Sequence, residues 1–174
     1  PPPFRPPTTR RFRLTSYWVA KLDAGSIPVY DSTSKAEIAR LTQASIERLD
    51  MEGSGRLPDG RVVNWAGKSR YYRVLPEGVL ATGVERRPLT PYRSVAVDLG
   101  PGEGSKAWKD GITRGGPLIP AGTRIWIAEI AGQRMPDGSI HDGWVVAEDT
   151  GDAIYGAHLD FFTGESRVKH PEVV

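Results

Sequence analysis

Polar and apolar residues first alternate in RFRLTSYWVAKL, at 11–22, where Phe12, Leu14, Ser16 and Trp18 fall on one face and Thr15, Tyr17 and Val19 on the other. A period of two predicts a strand, and the folded domain is expected to begin at about residue 12. From about Lys35 to Leu49 the period changes: Ile38, Leu41, Ser45 and Leu49 recur at helical spacing. Ser34 and Glu37 read as a capping box ahead of them, so a single helix is predicted there, with Ser45 the one polar break in its stripe. Asp59-Gly60 and Pro136-Asp137-Gly138 each separate two short apolar runs and predict hairpin turns. Further strands are expected at 94–99 and 144–160, and no internal repeat points to a solenoid or propeller.

The 174 residues contain 20 Gly and 15 Pro, about one position in five, which favours short strands joined by many turns over a helix bundle. A chain of this length buries enough surface for one domain with its own core. With no cysteine there is no disulfide framework, no CxxC metal site and no thiol nucleophile. No apolar stretch approaches the roughly 20 residues of a membrane-spanning helix. The chain starts at Pro1 rather than Met, so it is expected to be processed or truncated, with any signal peptide already removed.

Residues 1–11 read as a Pro/Arg-rich tail or linker and 165–174 as a C-terminal tail. The formal charge of +2 owes everything to Arg5, Arg10, Arg11 and Arg13; the rest of the chain is slightly acidic. Its basic residues form no stripe with interleaved aromatics, so a nucleic-acid partner is not expected. In the Gly-rich run GPGEGSK the Ser105-Lys106 order breaks the Gly-Lys-Ser/Thr ending of a phosphate loop, which argues against a nucleotide. The segment reads instead as a long loop flanking a groove, with Lys106, Trp108 and Lys109 in reach of a ligand.

No GxSxG or HExxH motif is present, and His141, His158 and His170 lack metal-ligand spacing, so neither metal nor cofactor is expected. Carboxylates are the remaining source of chemistry. If 157–162 is a strand, Leu159 and Phe161 point one way while His158, Asp160 and Phe162 point the other. Desolvation beside those aromatics, or a like charge such as Asp149, would raise the Asp160 pKa toward that of a general acid. Asp149-Thr150-Gly151 also matches the aspartic-protease triplet. It occurs once, however, after Ala147-Glu148 rather than an apolar pair, so a protease would require a dimer.

The segment EDTGDAIYGAHLDFFTG resembles the DTGGAIKG…D pattern of the three-aspartate (3D) domain and of MltA-type membrane-bound lytic murein transglycosylases, with two Asp eleven residues apart. SVAVDLG at 94–100 resembles the strand bearing that family's first Asp, and IPAGTRIWIAEI its IPxGT turn and strand. MEGSGRLPDGRVVNWAGKSRYYRV at 51–74 is similar to the GSG…DG…YAGxNGxxYR segment of MltA-type enzymes, and LTSYW at 14–18 to their TxYY strand. The matches span most of residues 12–164.

The resemblance implies a mainly β fold: a six-stranded double-psi β-barrel with one helix, crossed by a glycan groove, and a reduced inserted β region at about 40–92. It implies cleavage of the MurNAc-β-1,4-GlcNAc bond of peptidoglycan glycan strands without water. Asp160 would be the acid/base and Asp149 and Asp98 the supporting aspartates. Thr15, Tyr17, Gly53, Ser54, Gly55, Gly151 and His158 would be sugar contacts. The expected setting is the cell envelope, periplasmic or secreted, with membrane contact only through an anchor removed on processing. Asp152 and Tyr155 stand where the family has Gly and Lys, and the stretch from Leu99 to Pro117 has no counterpart in its short members. The rival expectations are a non-catalytic glycan-binding or expansin-like wall-loosening module, and a hydrolase of another β-1,4 glycan with Asp152 as second carboxylate.

Overall fold

A computed structural model describes residues 10–99, 119–151 and 153–167. In chain order its elements are β1 (Arg13–Tyr17), β2 (Ala20–Lys21), β3 (Ala24–Asp31), β4 (Glu37–Leu41), α1 (Gln43–Glu52), β5 (Ser54–Arg56), β6 (Val62–Lys68) and β7 (Tyr71–Val74). A 3-10 turn at Val84–Arg86 follows, then β8 (Ser94–Val97), β9 (Arg124–Trp126), β10 (Trp144–Asp149) and β11 (His158–Phe162). The loop reading of Lys106, Trp108 and Lys109, the Asp152 departure, His170 and most of both tails lie outside the described residues.

The mainly β, one-helix architecture is as expected. The described strands assort into two sheets and close no barrel: five strands in the order β1-β11-β8-β10-β9, and six in the order β2-β5-β6-β7-β3-β4. In the first sheet β1 runs parallel to β11 and β8 parallel to β10, while β11–β8 and β10–β9 are antiparallel. One face of this sheet, through Val95, Val97, Val145, Ala147, Leu159 and Phe161, packs on Ile127, Ile130, Met135 and Tyr92. The second sheet and α1 close over Ala20, Leu22, Val29, Leu41, Ile46, Leu49 and Tyr72. A third cluster of Val19, Val62, Leu75, Ala81, Leu89 and Phe162 joins residues from both sheets, so the two pack as one body.

The helix is displaced from its expected place. Asp31 Oδ1 accepts from the backbone N–H groups of Thr33 and Ser34, at 3.0 and 2.7 Å, making a turn that sends residues 37–41 back along β3 as β4. Ser34 therefore serves this turn, and Glu37 pairs with Arg40 on the strand. The true N-cap is Thr42, whose hydroxyl accepts from Ser45 N–H at 3.2 Å. Gly53, at φ 78°, ends the helix in the left-handed conformation and donates to Leu49 O. Ser45 is no defect in the stripe: it is 1% exposed and its hydroxyl accepts from Asp23 N–H at 2.8 Å, joining α1 to the turn before β3. Both predicted hairpin turns form, with Gly60 and Gly138 at positive φ donating back to Leu57 O and Met135 O. The strand expected over 144–160 is two strands, β10 and β11, separated by the connection at 150–157. Among the described residues no helix is long and apolar enough to cross a membrane.

Candidate active site

Strand register builds the site. Residues paired across a sheet share a face. Thr15 pairs with Asp160, Asp160 with Ala96, and Ala96 with Asp149, so one transverse row crosses β1, β11, β8 and β10. This row lies opposite the face that carries Leu159 and Phe161 into the core, as the alternation in β11 predicts. The small Ala96 side chain separates the two carboxylates.

Asp149 reaches the row through a β-bulge. Ala147 pairs with Val95, but the next pairing skips Glu148 and joins Asp149 to Ala96. In a regular strand, with Glu148 paired in turn, alternation would put Asp149 on the same face as Ala147, in the core. Gly83 passes directly over this bulge: a Cβ there would stand 2.1 Å from the Glu148 carbonyl oxygen. Ser94, also on β8, holds the Glu148 carboxylate through its hydroxyl at 2.5 Å.

Thr15 joins two of the expected site residues. Its Oγ1 donates to Asp160 Oδ1 at 2.6 Å and lies 2.7 Å from His158 Nε2. A hydroxyl has one proton. With Asp160 ionised, that proton goes to the carboxylate and the ring must donate from Nε2; with Asp160 protonated, the hydroxyl is free to donate to Nε2. Burial holds the Asp160 pKa above the ordinary carboxylate value, against the Thr15 hydrogen bond and the charges of His158 and Arg13, which favour the anion. Burial also lowers the His158 pKa, keeping the ring neutral at neutral pH, although Asp160 pulls the other way.

Tyr17 serves the second carboxylate. Its hydroxyl donates to Asp149 Oδ2 at 2.7 Å. Burial nevertheless pushes Asp149 up to about 6, assisted by the Asp160 charge and opposed by the bonds from Tyr17 and the Thr150 backbone. The Tyr17 phenol is raised well above its usual range, by burial and then by Asp149. Asp98 does a different job: 1% exposed, it accepts from Gly156 N–H at 2.7 Å and fastens the β10–β11 connection to the end of β8. Gly151 lies in that connection, where its carbonyl accepts from Ile154 N–H. Among the described residues no group of three His, Cys, Asp or Glu could hold a metal ion.

Gly53, Ser54 and Gly55 lie apart from this row, on the second sheet. Gly53 is the helix cap just described, and its carbonyl also accepts from Trp65 N–H. Ser54 is 1% exposed with its hydroxyl unpartnered, and a Cβ on Gly55 would meet Leu22 at 2.7 Å. Sequence reasoning missed Glu52. Burial and then the Asp160 charge raise its pKa, and its Oε2 accepts from Trp18 N–H at 3.4 Å. As the last residue of the displaced helix it carried no local signal. Arg13 was noted only for its charge, yet it pairs with His158 on the same face as Asp160.

The fold has known counterparts. The family model of the 3D domain matches residues 117–170. A membrane-bound lytic murein transglycosylase from Agrobacterium tumefaciens superposes with a TM-score of 0.57 at 16% identity, over 88% of this chain and 68% of that one. MltA from E. coli, in a crystal structure with bound chitohexaose, superposes with a TM-score of 0.58 at 17% identity, over 90% of this chain and 66% of that one. The chain thus spans about two thirds of the length of either. No curated protein matches the sequence. Over residues 117–170 the chain is thus similar to the 3D domain, and it shares the fold of the MltA-type lytic murein transglycosylases.

Proposed function

We propose that the protein is a lytic transglycosylase that cleaves the MurNAc-β-1,4-GlcNAc bond of peptidoglycan, with Asp160 as general acid and then base. The reading rests above all on the setting of Asp160, a carboxyl whose burial favours the protonated form, held in line by Thr15 and His158 on the face of the sheet opposite the core. The protonated carboxyl gives its proton to the glycosidic oxygen as the bond to C1 breaks. The resulting carboxylate then accepts the proton of the MurNAc 6-hydroxyl, whose oxygen bonds to C1 and closes a 1,6-anhydro ring. One carboxyl performs both steps, and no water enters.

Asp149, Tyr17 and Asp98 act through position. Tyr17 and Asp149 shape the field beside Asp160, and Asp98 holds the connection that delivers β11. Thr15, Tyr17, His158 and Gly151 would meet the sugar at or beside the row, with Gly53, Ser54 and Gly55 shaping the opposite wall. Chitohexaose bound to the E. coli neighbour supports a glycan as the ligand class. On this reading the protein works in the cell envelope.

Asp149 favours one alternative, a hydrolase, because it places a second carboxylate of raised pKa across Ala96 from the first. Mass spectrometry of soluble products from purified sacculi separates the readings when Asp160→Asn is run beside the wild type. Anhydro-ended sugars, lighter by one water than hydrolytic products and absent with the variant, are expected. Reducing-end products would establish a hydrolase. Wall binding by both proteins without any product would leave a non-catalytic glycan module.

A further inference from the structure

A cavity of about 670 Å³ opens between the segments following β1 and β11 and the start of the second sheet. Lys21, Arg48, Arg56 and Arg167 line it, with Trp18, against the single carboxylate of Glu165. Arg56 is spoken for: it pairs with Glu165 at 2.5 Å and donates to Gly60 O at 2.6 Å. Three cations remain. Arg48 donates to Lys21 O at 3.3 Å, and the Arg167 guanidinium lies 5.1 Å from the centre of the Trp18 ring. Among the described residues none of these three has a carboxylate within ion-pair distance. Cations converging on a concave wall raise the local concentration of anions, and guanidinium groups match carboxylates in shape as well as charge.

The cavity is linked to the catalytic row through Trp18 and Glu52. Trp18 lies three residues beyond Thr15, about 10 Å at strand rise. Glu52, bonded to Trp18 N–H, couples the two: its carboxyl interacts electrostatically with Asp160 and with Arg167 and Arg48. The volume exceeds that needed by a lone inorganic anion and falls in the range of clefts that take a small organic ligand or a short segment of a larger one.

We propose that this cavity binds the carboxylate-bearing peptide stem attached to the glycan, so that strands carrying peptides are cleaved in preference to bare glycan. The inference rests on the glycan-cleaving reading for its substrate, but its chemistry can be tested without turnover.

Kinetics would compare the wild type with Lys21→Gln/Arg48→Gln, both exposed positions outside the catalytic row, on peptide-bearing strands and on the same strands stripped by an amidase. The wild type is expected to show at least a tenfold higher kcat/KM on peptide-bearing strands. The variant should lose that advantage through KM, with kcat unchanged and activity on stripped strands equal to wild type. Equal wild-type rates on both substrates, or a variant equally impaired on both, would overturn the proposal. A second arm titrates Trp fluorescence with a soluble muramyl peptide and with the same peptide amidated at its carboxylates. Binding that needs both the carboxylates and the two cations upholds the cavity's role even if no strand is cleaved, in which case only the cleavage reading fails. Binding indifferent to amidation, or none, sinks it.

Discussion

Replacing Asp149 with Asn should make the protein more stable at neutral pH while leaving it unchanged in acid. The carboxyl ionises at about 6 in the folded chain instead of its ordinary 3.8, about two units higher. At about 1.4 kcal/mol per unit, the native state loses up to about 3 kcal/mol by carrying this group charged. The sign follows from proton counting: between the two values the folded chain holds a proton that the unfolded chain has released, so stability falls as pH rises through that window. The cost is absent below about pH 4 and complete above about pH 7. Asn keeps an oxygen that can accept the Tyr17 hydroxyl, now 2.7 Å from Asp149 Oδ2, so the main packing contact survives. Urea unfolding of both proteins at pH 4, 5, 6 and 7 measures the effect. The stability difference should grow by up to about 3 kcal/mol across the series, with unchanged slopes. A constant offset at every pH would refute the claim that burial of this carboxyl costs the fold.

Thr15→Val removes the donor that favours the Asp160 anion, so the limb of the pH–activity profile set by Asp160 should move to higher pH. A lost hydrogen bond to a charged group predicts a turnover decrease of about tenfold to a hundredfold, measured on soluble glycan strands. Tyr17→Phe leaves Asp149 without its side-chain donor, and denaturation at pH 7 should show a loss of about 1–3 kcal/mol. Gly83→Ala forces a methyl against the Glu148 carbonyl; a stability loss of about 1–3 kcal/mol is expected, with reduced activity as the bulge shifts Asp149. Ser54→Ala deletes a buried hydroxyl that has no partner, so thermal unfolding should show a neutral or slightly stabilised protein.

The site was more legible in the sequence than the architecture around it. Alternation alone placed Asp160 opposite Leu159 and Phe161, and Thr15 with Tyr17, because a period of two survives whatever the strand pairs with. The joining of Thr15 to Asp160 lay beyond any local pattern, since parallel pairing between distant segments leaves no mark in either. The bulge at Glu148 was equally hidden, as its counterpart Gly83, which leaves room for the Glu148 carbonyl, comes from another part of the chain. The helix was misplaced because Ile38 and Leu41 suit an α-helix and an edge strand alike. The Asp31 turn decided between them, and Thr42 then supplied the cap. Glu52 and Arg13 escaped notice for a related reason: each gains its relation to Asp160 only through tertiary packing.

The parallel pairing of β1 with β11 also governs when the acid comes into being. Thr15 and Asp160 stand 145 positions apart, near opposite ends of the described chain. A polypeptide synthesised or exported from its N-terminus presents Thr15 first, and it has no Asp160 until the 144 residues between them have emerged. The hydroxyl, the imidazole and the carboxyl meet only when the final strand slides in between β1 and β8. On the proposed function, a nascent, half-exported or clipped chain that lacks β11 is therefore unarmed, a safeguard set by topology alone.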